Sequence, residues 1–287
     1  MDSLTNTQSQ YTSANSAVGK LVFVILVVIM FTLLLQIGLY LISWYNSPAK
    51  DPYLIKGMLD GGTKVTISQD PKNADSVQIL RSNDDKGGAA FTWSVWVYVN
   101  DFNAKEGKFF HVFSKGNENF DVSDTKGVAS VNNAPGLYLG KPGEGNAAPP
   151  AGKNDQGLTL RVKMDTVKLN DAKVFVDVPN FPLRKWVHVA MRLENTIFDV
   201  YVNGQISGRL LLSNIPKQNY SDVLIHHNGG FPGKTSDLRY FSKSLNIFQI
   251  QRIVDKGPDT SNSTLSDEVT NVGNYGYLGY SWYSEKM

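Results

Sequence analysis

The residues that could do acid–base or metal chemistry in this sequence are few in kind. There are four histidines, twenty-six Asp and Glu, and no cysteine. The missing thiol excludes disulfides, thiol catalysis and thiolate-held zinc. His226 and His227 are adjacent, so on a strand they face opposite sides and cannot grip one metal together. His188 lies in a run of strand character and is expected to hydrogen-bond within its own domain. No nucleophile-elbow motif accompanies any serine, so a Ser-His-Asp set has no support, and the chain is expected not to be an enzyme. Sugar binding needs an exposed ring beside amides. Tyr138, in a glycine-rich stretch, and Asn228 and Phe231, in Asn228-Gly229-Gly230-Phe231, are candidate rims, although turn chemistry accounts for these glycines equally well. Near the end, Tyr275, Tyr277, Tyr280, Trp282 and Tyr283 crowd nine residues. Aromatics at this density bury large area at low rotamer cost, which fits a partner-docking tail. It fits equally a last segment that packs back on its own domain or at a membrane interface.

The element that dominates the chain is apolar. Leu21 to Ile42 is a 22-residue run without charge, interrupted only by Thr32, Gln36, Gly38 and Tyr40. As a helix it would span roughly 33 Å, enough for the hydrocarbon core of a bilayer. Trp44 and Tyr45 follow, where half-wet rings suit the headgroup region. The run is longer than the ~7–15-residue core of a signal peptide and no Ala-x-Ala follows it, so a transmembrane helix is expected. Lys20 on one side and Lys50 and Lys56 on the other give too small a bias to orient it. A net charge of +2 offers no field for nucleic acid. Asn219-Tyr220-Ser221 and Asn262-Ser263-Thr264 match the N-glycosylation triplet.

Beyond the run the signals are those of strands. Thr63 to Ile67 alternates, and Phe91 to Val99 is dense in aromatic and β-branched residues with every odd position apolar. Trp96 and Tyr98 point the other way and call for a partly covered second face. Phe109–Phe113, Leu158–Met164, Val174–Val178 and Trp186–Leu193 continue the series. Ile197–Val202 and Gln205–Leu212 flank Asn203-Gly204, a strong hairpin signal. Val223–His227 and Leu238–Phe241 close it; Asp121 to Gly157 reads as a long loop, and only Ile247 to Asp255 reads as helix. Many short strands and little helix predict a β-sandwich.

Three segments in order resemble the laminin-G-like branch of the concanavalin A-like jelly rolls. They are Phe91-Thr92-Trp93-Ser94-Val95-Trp96-Val97; Trp186-Val187-His188-Val189-Ala190 followed by Asp199-Val200-Tyr201-Val202-Asn203-Gly204; and Asp237-Leu238-Arg239-Tyr240-Phe241-Ser242-Lys243-Ser244-Leu245 followed by Ile250. The resemblance implies an all-β fold, a concanavalin A-like (laminin-G-like) jelly-roll β-sandwich, which the apolar run read above precedes as one N-terminal transmembrane α-helix. It implies calcium as an optional ligand, for which Asp84, Asp85, Asp121, Asp124 and Asp155 are loop acids of the right type; solvated surface charge is the plainer reading. It brings glycans in as partners by analogy of fold alone. Glucanases of this fold need Glu-x-Asp-x-x-Glu, and none of the six glutamates fits that spacing.

The expected order is a polar tail at 1–20, a transmembrane helix at 21–43, a linker at 44–60, the sandwich at 61–260 and an aromatic tail at 261–287. This order is similar to that of membrane-associated minor capsid proteins of large double-stranded DNA viruses. That resemblance implies a non-enzymatic, single-pass structural protein that links a bilayer to other coat or capsid proteins at a virion membrane. The alternative is a surface lectin-like or adhesion protein.

Overall fold

The computed structural model describes residues 2–45, 49, 51–73, 75–80, 82, 88–102, 107–120, 127–130, 132–141, 157–168 and 174–263. The chain divides into two units, 1–48 and 49–287.

The first unit is one helix, α1 (Asp2–Tyr45). Its stretch Val18–Tyr45 is long and apolar enough to cross a membrane. The polar residues expected as a separate tail lie in the same helix.

The second unit holds twelve strands among the described residues: β1 (Met58–Asp60), β2 (Val65–Ile67), β3 (Ala90–Val99), β4 (Phe109–Lys115), β5 (Gly136–Gly140), β6 (Thr159–Lys163), β7 (Phe175–Val178), β8 (Trp186–Glu194), β9 (Ile197–Val202), β10 (Gln205–Leu211), β11 (Val223–Ile225) and β12 (Gly233–Phe241). One helix follows them, α2 (Ile247–Lys256). One sheet runs β1-β12-β3-β8-β9-β10 and the other β2-β11-β4-β5-β6-β7. The ladders within both sheets are antiparallel.

The odd positions of β3, from Phe91 to Val99, enter the core between the sheets, where Trp93 meets Phe113 of β4 at 5.3 Å. The even positions face a second, smaller cluster. There α2 lays Ile250 over Ala190, Tyr201, Phe241 and Leu245, and the Thr92 hydroxyl accepts from Leu245 N at 2.9 Å. Trp96 meets the His188 ring at 5.1 Å and shares a hollow with residues of α2, while Tyr98 meets Trp186 at 5.5 Å. A capping box closes the start of α2: the Asn246 side chain accepts from Gln249 N, and Gln249 returns the contact.

Three sequence readings need correction here. The stretch around Tyr138, read as loop, is β5, a wholly buried strand between β4 and β6. Its glycines serve close packing: a Cβ on Gly140 would lie 2.5 Å from the Phe109 ring. The expected linker at 44–60 belongs to the sandwich from Asp51 onward. Leu54 and Ile55 are buried, and β1 pairs with β12 at the sheet edge. The sandwich also extends past 260, because Ser263 N donates to Met58 O at 2.9 Å.

Candidate functional site

The four histidines are structural in their surroundings. His188 Nε2 lies 2.8 Å from the Ser94 hydroxyl, and burial pushes its pKa down to about 4. His226 and His227 stand beyond the end of β11, and His226 takes φ +52. They are therefore not on the strand that the sequence predicts for them, and each ring has its own partners. His226 contacts Thr63 O and the Thr235 hydroxyl, each at 3.1 Å, and burial lowers it to about 4. His227 lies between the Glu118 carboxylate at 3.0 Å and the Thr66 hydroxyl at 3.0 Å. His111 Nδ1 accepts from His227 N, and burial holds His111 well below the ordinary imidazole range. Among the described residues no group of three or more His, Asp or Glu could hold a metal.

Of the residues read from sequence as sugar rims, Asn228 is exposed, but Tyr138 and Phe231 are buried. Tyr138 is walled in by Phe109, Val128 and Ala129, and its hydroxyl donates to Asn133 Oδ1. Phe231 packs edge-on against His226 at 5.4 Å. Neither ring offers a face to a sugar, and the three residues do not form one rim. Asp84, Asp85, Asp121, Asp124 and Asp155 lie outside the described residues, as do Tyr275, Tyr277, Tyr280, Trp282 and Tyr283.

The site the structure does offer is a cavity of about 380 Å³ where the two sheets part. Phe91, Trp93 and Tyr240 line it from one sheet, Lys115 from the other, and Ile79 and Ala134 complete the apolar surface. Gln69, Gln78, Gln218 and Asn219 supply amides, and Tyr220, 88% exposed, stands at the mouth. Gln69 builds one wall: its amide donates to Val77 O at 2.7 Å and accepts from Ile79 N at 2.9 Å, while its backbone N donates to Asp222 Oδ1 at 2.9 Å. Lys115 is only 8% exposed. Its Nζ donates to Ser221 O at 2.7 Å and reaches Asn219 Oδ1 at 3.4 Å. Burial brings this amine down to about 8, against the opposing pull of Asp222. The cavity therefore combines a floor of buried rings, amides along its walls and one partly desolvated cation, the usual makings of a small-molecule site.

Sequence reasoning missed Lys115, although a signal was present. Phe113 faces the core, and period-2 alternation turns Lys115 to the same inward side. An inward lysine at a strand end is rare unless something holds it.

This arrangement of two sheets is matched by a laminin-G sequence profile, described as concanavalin A-like lectin/glucanases superfamily, over residues 71–251, more than half of the chain. The chain belongs to the concanavalin A-like lectin/glucanases superfamily. No curated protein sequence matches it. Solved structures with a similar outline include the receptor binding domain of botulinum neurotoxin C/D mosaic serotype, at 10% identity and TM-score 0.39, covering 59% of this chain and 36% of that one. The binding domain of botulinum neurotoxin serotype G matches at 12% identity and TM-score 0.40, covering 70% and 46%. A Trypanosoma rangeli sialidase matches at 15% and 0.42, covering 72% and 28%. The chain spans less than half of each. Within the concanavalin A-like sandwich, the matched stretch takes in most of the cavity, but Gln69, β1 and β2 lie before it.

Proposed function

We propose that this chain is a non-catalytic, membrane-anchored binding protein whose concanavalin A-like sandwich takes a sugar-sized polar ligand in the Lys115 cavity. The observation that carries this reading is the cavity itself, with a floor of the buried rings Phe91, Trp93 and Tyr240, the exposed ring of Tyr220 at its mouth, and amides and an amine along its walls. α1 supports the anchor by its length and composition. No catalytic role follows from the histidines, which are all engaged in the packed interior. Calcium stays an accessory proposal resting on the acids Asp84, Asp85, Asp121, Asp124 and Asp155. A flat calorimetric titration at millimolar calcium removes it.

The test is a glycan array with the full chain in phosphatidylcholine nanodiscs, repeated with Lys115→Met. Binding by the native chain that weakens about tenfold in the variant is the expected outcome. Binding that ignores the substitution moves the ligand elsewhere and sinks the assignment.

A second reading, a linker between a bilayer and a protein coat such as a virion shell, is favoured by two exposed apolar pairs. Leu211 faces Ile197 across β10 and β9, and Val167 N donates to Ile215 O at 2.9 Å; all four side chains are exposed. Co-purification with a coat particle, with a blank glycan array, selects this reading.

A further inference from the structure

On the far side of the same sheet from the Lys115 cavity lies a second, smaller hollow of about 150 Å³, between the outer face of β12 and α2. Three cations line it: Arg239 from β12, and Arg252 and Lys256 from α2. Among the described residues none of the three is in an ion pair. Asp237, the single acid in the lining among the described residues, is already committed, since its two oxygens accept from Gly57 N and Asp259 N. Asp259 feels the charges of Lys256 and Lys56 but holds its own carboxylate on Ser261.

Arg239 is the fixed point. Its guanidinium lies 4.4 Å from the Tyr53 ring and 4.6 Å from the Phe241 ring. Nε donates to Asp51 O at 3.1 Å and Nη1 to the Tyr53 hydroxyl at 3.3 Å. A register shift in β12 between Ser236 and Arg239, with Asp237 at φ +49, sets this part of the strand. Stacking and two hydrogen bonds pre-organise the fork, so a ligand does not have to order it.

The hollow also has a polar side chain with capacity to spare. Ser94 lines it, and His188 Nε2 sits behind the Ser94 hydroxyl at 2.8 Å. Among the described residues His188 Nδ1 is buried without a partner. If Nδ1 is the bare acceptor, Nε2–H donates to Ser94 and leaves the hydroxyl hydrogen to point into the hollow. Lys256 has a competing duty, because it stands in the last turn of α2 beside the carbonyl end of that helix. Arg239 and Arg252 are therefore the main binding groups.

We propose that this hollow binds a tetrahedral oxyanion, the phosphate group of a phosphoryl ester, held by Arg239 and Arg252 with Lys256 and the Ser94 hydroxyl completing the set. A planar fork matched to two oxygens suits this shape, and 150 Å³ leaves little room for more than the head group. The proposal is independent of the Lys115 cavity.

The experiment titrates inorganic phosphate into the full chain in phosphatidylcholine nanodiscs, following the thermal midpoint and the heat of binding, with sodium chloride at equal ionic strength as the reference. A saturable rise over chloride is expected. R252Q/K256Q, which changes two exposed side chains, is expected to weaken it by about tenfold or more. Arg239→Lys keeps a stem between the two rings but loses the fork, and is expected to weaken phosphate while preserving the unfolding transition. No saturable effect beyond chloride overturns the proposal, and so does an effect that both variants retain. Phosphatidic acid added to the nanodisc separates the sources. Competition with inorganic phosphate supports the site with a lipid as its ligand, and phosphate binding that the lipid leaves untouched supports it with a soluble phosphoryl ester.

Discussion

Lys115 shows how a single side chain makes a site. In the folded chain its amine releases a proton near pH 8, and in the unfolded chain near 10.5. Between these values the unfolded state holds more protons, so stability rises with pH. A fall from 10.5 to about 8 corresponds to about 3 kcal/mol. The native chain is therefore expected to gain stability from pH 7.5 to 10 relative to Lys115→Met, read from denaturant midpoints at each pH. Parallel curves for the two proteins contradict the assignment. The buried histidines act at the other end of the scale. His188 and His226 charge near 4 in the folded state and near 6.5 when unfolded. Stability therefore falls as pH drops through 6.5, by about 3 kcal/mol for each ring once pH reaches 4. Urea midpoints should decline already between pH 6.5 and 5, above the range where ordinary carboxylates titrate. A midpoint that stays flat over that interval is the outcome that rejects it. None of these values was legible in the sequence, because a histidine on a strand looks alike whether it meets water or Ser94.

At the scale of elements, local patterns were faithful where one face of a strand meets core. The alternation of β3 and the Asn203-Gly204 hairpin are both as the sequence implies, with φ +50 and +81 at the turn. Gly204 carries a further constraint, since a Cβ there would lie 2.4 Å from Gln251 Oε1 on α2. Gly204→Ala should cost on the order of 1–2 kcal/mol in chemical denaturation. An unchanged midpoint would show that the turn relaxes without loss. β5 escaped the sequence reading for the converse reason. Buried on both faces, Gly136-Leu137-Tyr138-Leu139-Gly140 has no polar alternation, and its glycines mimic a loop. Tyr138 was placed on a sugar rim by that misreading. β1 was missed because three residues at a sheet edge carry too little pattern to stand out from a proline-bearing segment.

For the whole molecule, the chain divides into two units, one holding α1 and the other the sandwich. Removal of residues 1–48 should release the protein from alkaline-washed membranes while leaving its thermal unfolding transition in place, since β1, Leu54 and Ile55 all lie beyond the cut. Loss of the transition would show that α1 supports the sandwich, and membrane retention would show a second anchor. The belt of Trp44 and Tyr45 at the end of the apolar run fits the anchoring reading.

Sequence alone determined the apolar helix, the sandwich class and most strands, because these depend on composition and short periods along the chain. It also determined that thiol chemistry is absent and that no glucanase carboxylate motif is present. Only the tertiary structure decided which polar groups converge. Lys115 comes from β4, its partners Asn219 and Ser221 from over a hundred residues later, and the rings of Phe91 and Trp93 from the opposite sheet. Arg239, Tyr53 and Arg252 meet in the same way, from three segments far apart in the chain. Periodicity assigns a side chain to a face. Which faces are brought together, and how much water is left between them, is fixed by strand order and sheet packing, and those involve residues too far apart in the chain for any local pattern to record.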